Sequence, residues 1–281
     1  MALDTEDEWS RICLYGRYGM GKTTALASAV NLGGTVEHID SELRLKPGPL
    51  RRLGYDVSKI NPHRPVESFA QLSGLVWDLK AKIHDNPYSV SAVGMDTITE
   101  STKLLISNIA DTNLALERRR AEKRGEVYMP PLTIEGDWWG ELAERFRRLF
   151  RDMASLETHL VFLAHERKDT DESGSSSIGP ATSPAVQADL LGYVDVVGHL
   201  EMNLGTRVAR FSPNSRYQAK DTFGLLPPIM ANPTVERIVR YINEELTIDT
   251  DPQQQAYLAL VEENQTVARR SAVEGEGRRR R

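Results

Sequence analysis

The sequence predicts an α/β fold with a mainly parallel sheet flanked by helices, and three observations support this prediction. As far as residue 165, short apolar runs typical of buried strands alternate with segments that have helical character. The 281 residues are 40% apolar and 27% charged, which is a composition typical of globular proteins. A chain of this length can also bury a core large enough to be stable without disulfides or metals.

Strands and helices alternate in the first 165 residues. The first predicted strand, 11–15, is a short apolar run ending at a glycine, and an Ala- and Leu-rich helix over 24–32 ends at two glycines. The further predicted strands are the apolar runs 35–39, 89–95 and 159–164. The further predicted helices are 66–84, 97–115 and 137–156. Between them, residues 43–65 are rich in Pro, Gly and basic side chains and are expected to be irregular, with one short helix.

The second half of the chain departs from this alternation. Residues 116–136 hold a dense run of cations followed by two prolines, which predicts a charged excursion from the core. Gly, Ser and Pro are frequent in 167–185, which predicts a mobile loop. Two further strands, expected to be antiparallel, are 193–200 and 206–212. We expect one domain over 1–245 and a polar, flexible C-terminal tail over 246–281.

Composition narrows the class of protein. The net charge of −5 does not point to nucleic-acid binding, although local basic patches could still contact phosphates. The single cysteine, Cys13, excludes an internal disulfide framework and a multi-cysteine zinc site. No run approaches the roughly 18 apolar residues of a transmembrane helix, and the acidic start lacks the pattern of a signal peptide. We therefore expect a cytoplasmic protein with no membrane contact.

Residues 16–23, GRYGMGKT, match the phosphate-binding pattern G-x-x-x-x-G-K-[ST] between a predicted strand and a predicted helix, as a P-loop requires. Glycines let several backbone N–H groups face one anion, and the helix adds the positive end of its dipole. We expect Lys22 to meet the β- and γ-phosphate oxygens and Thr23 to ligate Mg²⁺. The alternative is a glycine-rich turn with a surface lysine. The residues expected to contact the nucleotide are Gly16, Arg17, Tyr18, Gly19, Met20, Gly21, Lys22, Thr23 and Thr24.

Asp96 directly follows the apolar run 89–95. A carboxylate at such a strand end suits the Walker B role, in which it holds Mg²⁺ through water. The alternative is that Asp96 caps the following helix, and both roles can hold together. ATP and Mg²⁺ are therefore the expected ligands.

Two further stretches resemble RecA recombinases. The segment 38–60, HIDSELRLKPGPLRRLGYDVSKI, has the Ile-Asp-x-Glu and Leu-Gly-x-Asp pattern that follows the P-loop helix in RecA. The resemblance assigns Glu42 to polarising the attacking water, with Asp40 as the fallback base. In VFLAHERKD, 161–169, His165 occupies the position of the polar residue, often Gln, that senses the γ-phosphate. The resemblance also implies that the following loop, 167–185, binds single-stranded DNA. The alternative for Glu42 and His165 is an exposed glutamate and a strand-end histidine without a ligand.

A third stretch, RYQAKDTFGLLP over 216–227, resembles the segment from which RecA-like protomers insert basic residues into a neighbour's ATP site. Lys220 is the first candidate for such a residue, and Arg216 is the second. Phage members of the RecA-like group usually have Lys-Asp-Arg at this position, whereas this chain has Lys-Asp-Thr. The alternative is a surface lysine.

Taken together, the motifs resemble the phage RecA-like single-strand annealing ATPases, the Sak-type group of AAA-type phage nucleotide-binding proteins. The resemblance implies an ATP-binding, ATP-hydrolysing protein of phage recombination, placed in the host cytoplasm. It also implies three kinds of partner: single-stranded DNA, further copies of the chain with ATP at the protomer interface, and a single-strand binding protein.

Basic residues offer candidate contacts to DNA phosphates. The expected DNA-binding residues are Arg118, Arg119, Arg120, Lys123, Arg124, Arg167 and Lys168. Tyr128 could stack on a base. The alternative is a solvated helix face. Residues 278–281, four arginines, are either an electrostatic tether or merely a polar end, and Trp138 and Trp139 are expected in the core or at an interface.

The sequence leaves two other functions open. One is a P-loop kinase of a small metabolite, in which the 167–185 loop would be a lid. The other is a DNA-annealing module in which ATP is a conformational ligand that is not hydrolysed. The motif alone does not separate slow from fast ATPases.

Overall fold

The computed structural model describes residues 9–279 other than 65, 132, 135, 171–173 and 175, with side chains as far as residue 267. The strands are β1 Arg11–Gly16, β2 Thr35–Asp40, β3 Ile60–His63, β4 Val90–Asp96, β5 His159–Ala164, β6 Glu166–Thr170, β7 Ser176–Pro180, β8 Val196–Asn203, β9 Thr206–Arg210, β10 Lys220–Asp221 and β11 Ile229–Ala231. The helices are α1 Lys22–Ala27, α2 Pro47–Arg52, α3 Phe69–Asp85, α4 Ile98–Arg124, α5 Gly136–Met153, α6 Pro184–Tyr193, α7 Val235–Ile242 and α8 Pro252–Arg279.

One sheet runs in the order β11-β9-β8-β1-β5-β4-β2-β3, with β10 paired to β8. The six strands β8, β1, β5, β4, β2 and β3 are parallel, whereas β9, β10 and β11 are joined to this sheet in antiparallel pairs. The central strands are covered on both faces, which is why their sequences are continuous apolar runs. The predicted fold class, a mainly parallel sheet flanked by helices with antiparallel strands near the C-terminal side, is confirmed.

Alternate residues of β1 divide the core into two layers. Cys13 and Tyr15 pack among the apolar residues of α3, α4, α5 and α6. Ile12 and Leu14 pack on the opposite face, among residues of α1 and α7. This alternation is the period of two that a strand imposes on its side chains. The sheet is therefore a rigid support whose carboxyl edge presents the loops that follow β1, β2, β4 and β5.

The predicted helices have modest boundary changes. The helix expected over 24–32 is α1 followed by a 3₁₀ turn, Ser28–Leu32. The helix expected over 66–84 begins at Phe69, because Ser68 and Gln71 form a capping box at its start. Within 43–65, the structure adds the edge strand β3, which pairs with β2. Helix α6, which follows the hairpin of β6 and β7, has no counterpart among the predicted elements.

The charged segment 116–136 does not begin as a separate excursion. Helix α4 continues through Arg124 and ends where Gly125 takes the left-handed conformation, with φ 67°. The residues of these turns have high helix propensity, and Ala121 is buried against the rest of the protein. The helix is therefore stable as far as Gly125. The cations therefore lie on an extended helix.

The segment 167–185, where composition predicts a mobile loop, contains a β-hairpin followed by the start of α6. Strands β6 and β7 pair from Glu166 opposite Pro180 to Thr170 opposite Ser176. A Cβ at Gly179 would lie 2.1 Å from Gln218 Oε1 and 2.7 Å from Gln187 Nε2, so a larger residue there would displace these two side chains. Residues 171–173 and 175, which fall in the predicted loop, lie outside the described residues.

The C-terminal segment 246–281, for which the sequence predicts a flexible tail, contains the long helix α8. Helix α8 starts after Asp251, whose carboxylate accepts from the backbone N–H groups of Gln253 and Gln254. Tyr257 packs with Val208 and Ala231 of the sheet. The short apolar stripe around Tyr257 is enough to dock the helix. The side chains of the C-terminal arginines, 278–281, lie outside the described residues.

Candidate functional site

The candidate site lies at the carboxyl edge of the parallel sheet, which is the usual ligand side of α/β sheets. Gly16 ends β1, Asp40 ends β2, Asp96 ends β4 and His165 follows β5. Because β5 lies between β1 and β4, His165 is placed between the P-loop and Asp96.

The P-loop adopts an anion-cradle geometry. Gly19 and Gly21 have φ of 78° and 79°, a region in which L side chains are strained. Lys22 is 7% exposed, and its Nζ donates to the carbonyl oxygens of Gly16 at 2.9 Å and Arg17 at 3.0 Å. Burial lowers the pKa of Lys22, while Asp96 and Glu42 act to raise it. The ammonium thus spans the loop at the position where phosphate oxygens would be received.

The other predicted loop residues surround this ammonium. Arg17 and Tyr18 are exposed, and Thr24 is half-buried in the first turn of α1. Met20 packs on the apolar face of that helix, so it shapes the loop rather than facing solvent.

Thr23 and Asp96 form the candidate Mg²⁺ site. Thr23 Oγ1 donates to Asp96 Oδ2 at 2.6 Å, and His38 Nε2 lies 3.2 Å from the same oxygen. A hydroxyl and a carboxylate side by side are hard oxygen donors of the kind Mg²⁺ prefers, so these residues fit the ion. The alternative helix-capping role belongs to Thr97, whose Oγ1 accepts from the backbone N–H of Glu100 at 3.3 Å. The Asp96 carboxylate therefore remains directed at Thr23.

Glu42 and His165 are brought together from different strands. Glu42 Oε1 lies 2.6 Å from His165 Nε2 and accepts from Thr97 Oγ1 at 3.1 Å. On the other side of the ring, His165 Nδ1 lies 3.5 Å from Lys22 Nζ. Burial, followed by the Lys22 charge, lowers the pKa of His165, which favours the neutral imidazole. We assign the proton to Nε2, because that nitrogen faces a carboxylate and Nδ1 faces an ammonium.

The loop side of this histidine is covered by Tyr18. The two ring centroids are 4.0 Å apart at an angle of 35°. The aromatic contact couples the P-loop to the strand end that carries the predicted γ-phosphate sensor.

Asp40, the fallback base, is held by hydrogen bonds and an ion pair within its own turn. It is 1% exposed, and its carboxylate accepts from the backbone N–H groups of Arg44 and Leu45, both at 3.1 Å. Arg64 Nη2 lies 2.7 Å from the same carboxylate. Asp40 is therefore a structural residue of the turn that presents Glu42.

A second network ties the P-loop to the hairpin. Arg17 Nε donates to Glu166 Oε1 at 2.9 Å, and His199 Nε2 lies 2.9 Å from Glu166 Oε2. The His199 ring stacks on Tyr217 with centroids 4.2 Å apart. A ligand that moved Arg17 would therefore act on the first residue of β6.

The structure does not bring Lys220 to the site of its own chain. Its Nζ donates to the Val194 carbonyl oxygen at 2.7 Å, at the C-terminal end of α6. Lys220 pairs with Val197, and Val197 pairs with Cys13, three residues before Gly16. Arg216, the second candidate, is exposed, with its guanidinium 5.2 Å from the Tyr217 ring.

The cations of 118–124 lie on the exposed final turns of α4. Arg118 pairs with Glu122 at 3.1 Å, and Arg124 pairs with Glu126 at 2.9 Å. Within the described residues, the cations of this segment that make no ion pair are Arg119, Arg120 and Lys123. Lys123 lies four residues after Arg119 and three residues after Arg120, so it neighbours both of them on one side of the helix.

The hairpin cations differ from one another. Arg167 donates to the carbonyl oxygen of Thr182 at 2.6 Å and pairs with Asp169 at 2.8 Å. Lys168 is exposed.

A cavity of about 690 Å³ adjoins His165 on the hairpin side. Its lining includes Tyr18, Trp139, Lys103 and Arg167. Trp139 is 38% exposed, whereas Trp138 is 6% exposed, so the two tryptophans divide between the cavity and the core. Tyr128, the other aromatic considered, is half-buried.

Sequence reasoning missed three neighbours of the site: His38 beside Asp96, Thr97 beside Glu42, and His199 beside Glu166. The register places His38 opposite Gly94, two residues before Asp96. Strand register could have found it, but register depends on which strands pair.

No helix within the described residues has the length and apolar content needed to cross a membrane.

Comparison with known proteins is consistent with this geometry. Residues 9–223 match the AAA domain family, which spans the P-loop, Asp96, His165 and Lys220. No curated protein matches this chain. The match covers most of the chain and the whole phosphate-binding cluster, and the chain therefore belongs to the AAA domain family of nucleotide-binding P-loop NTPases.

Proposed function

We propose that this protein binds and hydrolyses ATP and acts on single-stranded DNA during recombination or annealing, in the manner of the phage RecA-like proteins that it resembles. The observation that carries the proposal is the contact of 2.6 Å between Glu42 and His165. It joins the candidate base to the residue that directly precedes the candidate DNA-binding hairpin.

The geometry supports an in-line attack of water on the γ-phosphorus. Glu42 accepts the water proton while the new P–O bond forms, and the bond to the β–γ bridging oxygen breaks to leave ADP and phosphate. Lys22 stabilises charge on the phosphate oxygens from its buried position across the P-loop. Bound Mg²⁺ would neutralise part of the charge on the β- and γ-phosphates, held by Thr23 and Asp96.

His165 supports a link between nucleotide and hairpin. Its imidazole lies between Glu42 and Lys22, and the next residue, Glu166, begins β6 and contacts Arg17. A γ-phosphate that draws Lys22 and Glu42 into new contacts would change the hydrogen bonds of His165. The hairpin would then respond to the state of the nucleotide.

DNA contact is supported by two separate sets of exposed side chains, aromatic residues at the cavity and cations at the far end of α4. Trp139 and Tyr18 offer exposed aromatic faces on which bases could stack. Arg119, Arg120 and Lys123 offer cations that no described carboxylate neutralises. The ion pairs of Arg118 and Arg124 are exposed and weak, so phosphates could compete for them.

The resemblance further supports a homo-oligomer with ATP at the protomer interface, a single-strand binding protein as partner, and a place in the host cytoplasm. Of the two candidate trans residues, Arg216 is exposed, whereas Lys220 would first have to leave the carbonyl oxygen of Val194. We therefore favour Arg216 as the residue that enters a neighbouring site.

ATP hydrolysis by the wild-type protein, with and without single-stranded DNA, tests the proposal. We expect DNA to raise the rate about tenfold or more, and Lys22→Ala to abolish it. Lys59→Ala is the matched control, because Lys59 is a half-buried lysine that bonds only the Gly33 carbonyl oxygen among the described residues. Turnover that is equal with and without DNA would contradict the DNA-dependent function.

The cavity favours one alternative, phosphate transfer to a small molecule. Its volume of about 690 Å³ is within the range of small-ligand pockets, and it adjoins the expected γ-phosphate position. Against this alternative, both cations of its lining are ion-paired, Lys103 with Glu100 and Arg167 with Asp169. Phosphorylation of a nucleoside in the absence of DNA would support the kinase. Tight ATP binding without turnover would instead support an annealing module in which ATP is only a conformational ligand.

A further inference from the structure

Arg207 of β9 approaches the P-loop from the side opposite to Asp96. In the register of the sheet, Gly16 of β1 pairs with Leu200, and Arg207 pairs with Met202, two residues further along β8. Arg207 therefore lies beyond the carboxyl edge of β1. It shares a strand face with Ala209, which packs among the residues of α1, so its side chain is directed to the P-loop side of the sheet.

The guanidinium of Arg207 lies against Gly21. A Cβ built on Gly21 would be 2.5 Å from Arg207 Nη1 and 2.8 Å from Cζ, closer than real atoms approach. Gly21 is the residue before Lys22 in the phosphate-binding motif. The contact is therefore with the loop that would hold the phosphates, rather than with its periphery.

This guanidinium has no partner within the described residues. Its Nε is buried without a hydrogen bond, and Arg207 forms no ion pair or side-chain hydrogen bond there. Tyr55 is near enough for Arg207 to act on its pKa, which burial raises, Glu236 raises further and Arg207 lowers. Glu236, however, accepts a hydrogen bond from Asn31 at 2.9 Å and forms an ion pair with Arg240 at 3.7 Å.

Arg207 is half-buried with a buried Nε, and a cation in this position without a counter-charge is unfavourable unless a ligand supplies one. Arginine is also the side chain best suited to phosphate oxygens, because its planar donors can bind two of them together. An anion bound in the P-loop would lie next to this guanidinium.

The direction of the nucleotide follows from the two sides of β1. Asp96, Glu42 and His165 belong to the side of β4, β2 and β5, so the γ-phosphate is expected there. The other end of the triphosphate then extends towards β8 and β9. We infer that Arg207 binds the α-phosphate of the nucleotide in its own protomer, an inference that rests on the proposed nucleotide binding.

The test is the affinity for ATP and for ADP, each with Mg²⁺, measured by calorimetry on the full chain. Arg207→Gln and Arg207→Met both remove the donors, and the second keeps the apolar stem. We expect the Kd of each nucleotide to rise about tenfold in both variants, by the loss of a charge-assisted contact. Arg210→Gln is the matched control, since Arg210 lies on the same strand and is paired to Glu201 at 2.9 Å. It should leave both Kd values unchanged.

The melting temperature without nucleotide separates binding from folding. Because Arg207 Nε is buried and unpaired, its removal should leave that temperature unchanged or raise it. Unchanged Kd values in the Arg207 variants, with normal binding by the wild type, would overturn this inference and leave nucleotide binding intact. A loss confined to ATP would place the contact on the γ-phosphate and also overturn it. Absence of nucleotide binding in the wild type would overturn both proposals.

Discussion

Two pairs of identical residues, one pair at strand β2 and one at strand β5, lie in contrasting surroundings. Glu37 lies within β2 and Glu42 follows its end; His159 begins β5 and His165 follows its end. Glu37 and His159 belong to the packed part of the sheet, whereas Glu42 and His165 contact each other at the carboxyl edge. The residue type is the same in each pair, so the place along the strand sets the chemistry.

Glu37 is saturated by its neighbours. It is 2% exposed and accepts from Thr35, Asn61, His63 and Lys82 at 2.6–2.9 Å. Burial alone would raise the pKa of Glu37, but these hydrogen bonds, led by that of His63, lower it to about 2. Such a carboxylate is held as an anion for structure and has no capacity left for a ligand.

Glu42 has fewer partners, and its surroundings are open. Its Oε1 is shared by His165 and Thr97, while Oε2 has, among the described residues, only the exposed Arg44 at 3.8 Å. A water molecule or phosphate could therefore compete for this carboxylate. The comparison suggests that unfilled hydrogen-bonding capacity at a strand end marks the reactive group of each pair.

Glu42→Gln gives the largest expected effect. The amide keeps the shape of the side chain but is a far weaker base, so ATP turnover should fall about 10²–10⁴-fold. The free energy of unfolding should change by less than about 0.5 kcal/mol, because the partners of Glu42 are few and partly exposed. Steady-state ATPase assays and urea unfolding measure the two quantities. Turnover near the wild-type rate would assign the role of base elsewhere.

Glu37→Gln is the reciprocal variant and should act on stability. Removing the buried charge of Glu37 takes away the counter-ion of Lys82 and the acceptor of His63; because these two side chains are 41% and 29% exposed, we expect a cost of about 1–3 kcal/mol in the free energy of unfolding. Below the melting transition, turnover per folded molecule should equal that of the wild type. A variant with normal stability, or with lowered turnover in the folded state, would break the contrast between the two glutamates.

The sequence could predict those parts of the fold that rest on local patterns. Residues 16–23 and the apolar strands 35–39, 89–95 and 159–164 need only spacing and composition. The fold class followed from them. Glu42 and His165 were chosen by resemblance, and spacing alone would not have singled out either residue.

The parts of the fold that the sequence could not predict depend on contacts between distant segments of the chain. The pairing of β6 with β7 is stabilised from outside, since the Ile178 backbone N–H donates to the Arg216 carbonyl oxygen at 2.7 Å. Helix α8 docks through Tyr257 onto Val208 and Ala231, from parts of the chain far removed in sequence. Arg207 reaches Gly21 across more than 180 positions. Local composition cannot encode such approaches, so the strands and helix turns within the Gly-, Ser- and charge-rich segments could not be predicted from it.

His159→Asn gives the smallest expected effect and tests the histidine pair. His159 is 7% exposed, its Nδ1 accepts from the Ser10 backbone N–H at 3.1 Å, and burial lowers its pKa from 6.5 to about 4. Between these values the unfolded chain binds a proton that the folded protein does not, so stability falls as the pH drops from 6.5 towards 4.

From pH 7 to pH 5.5, His159 should cost the wild type about 1 kcal/mol. Asparagine keeps an acceptor for Ser10 without titrating, so the variant should lose that much less stability over this range. His165 acts in the same direction because its pKa is also lowered, so some slope should remain. Glu37 does not contribute here, since its stabilisation is lost only below its ordinary pKa of 4.5. Urea unfolding at the two pH values measures the difference, and identical slopes in wild type and variant would show that folding does not lower the pKa of His159.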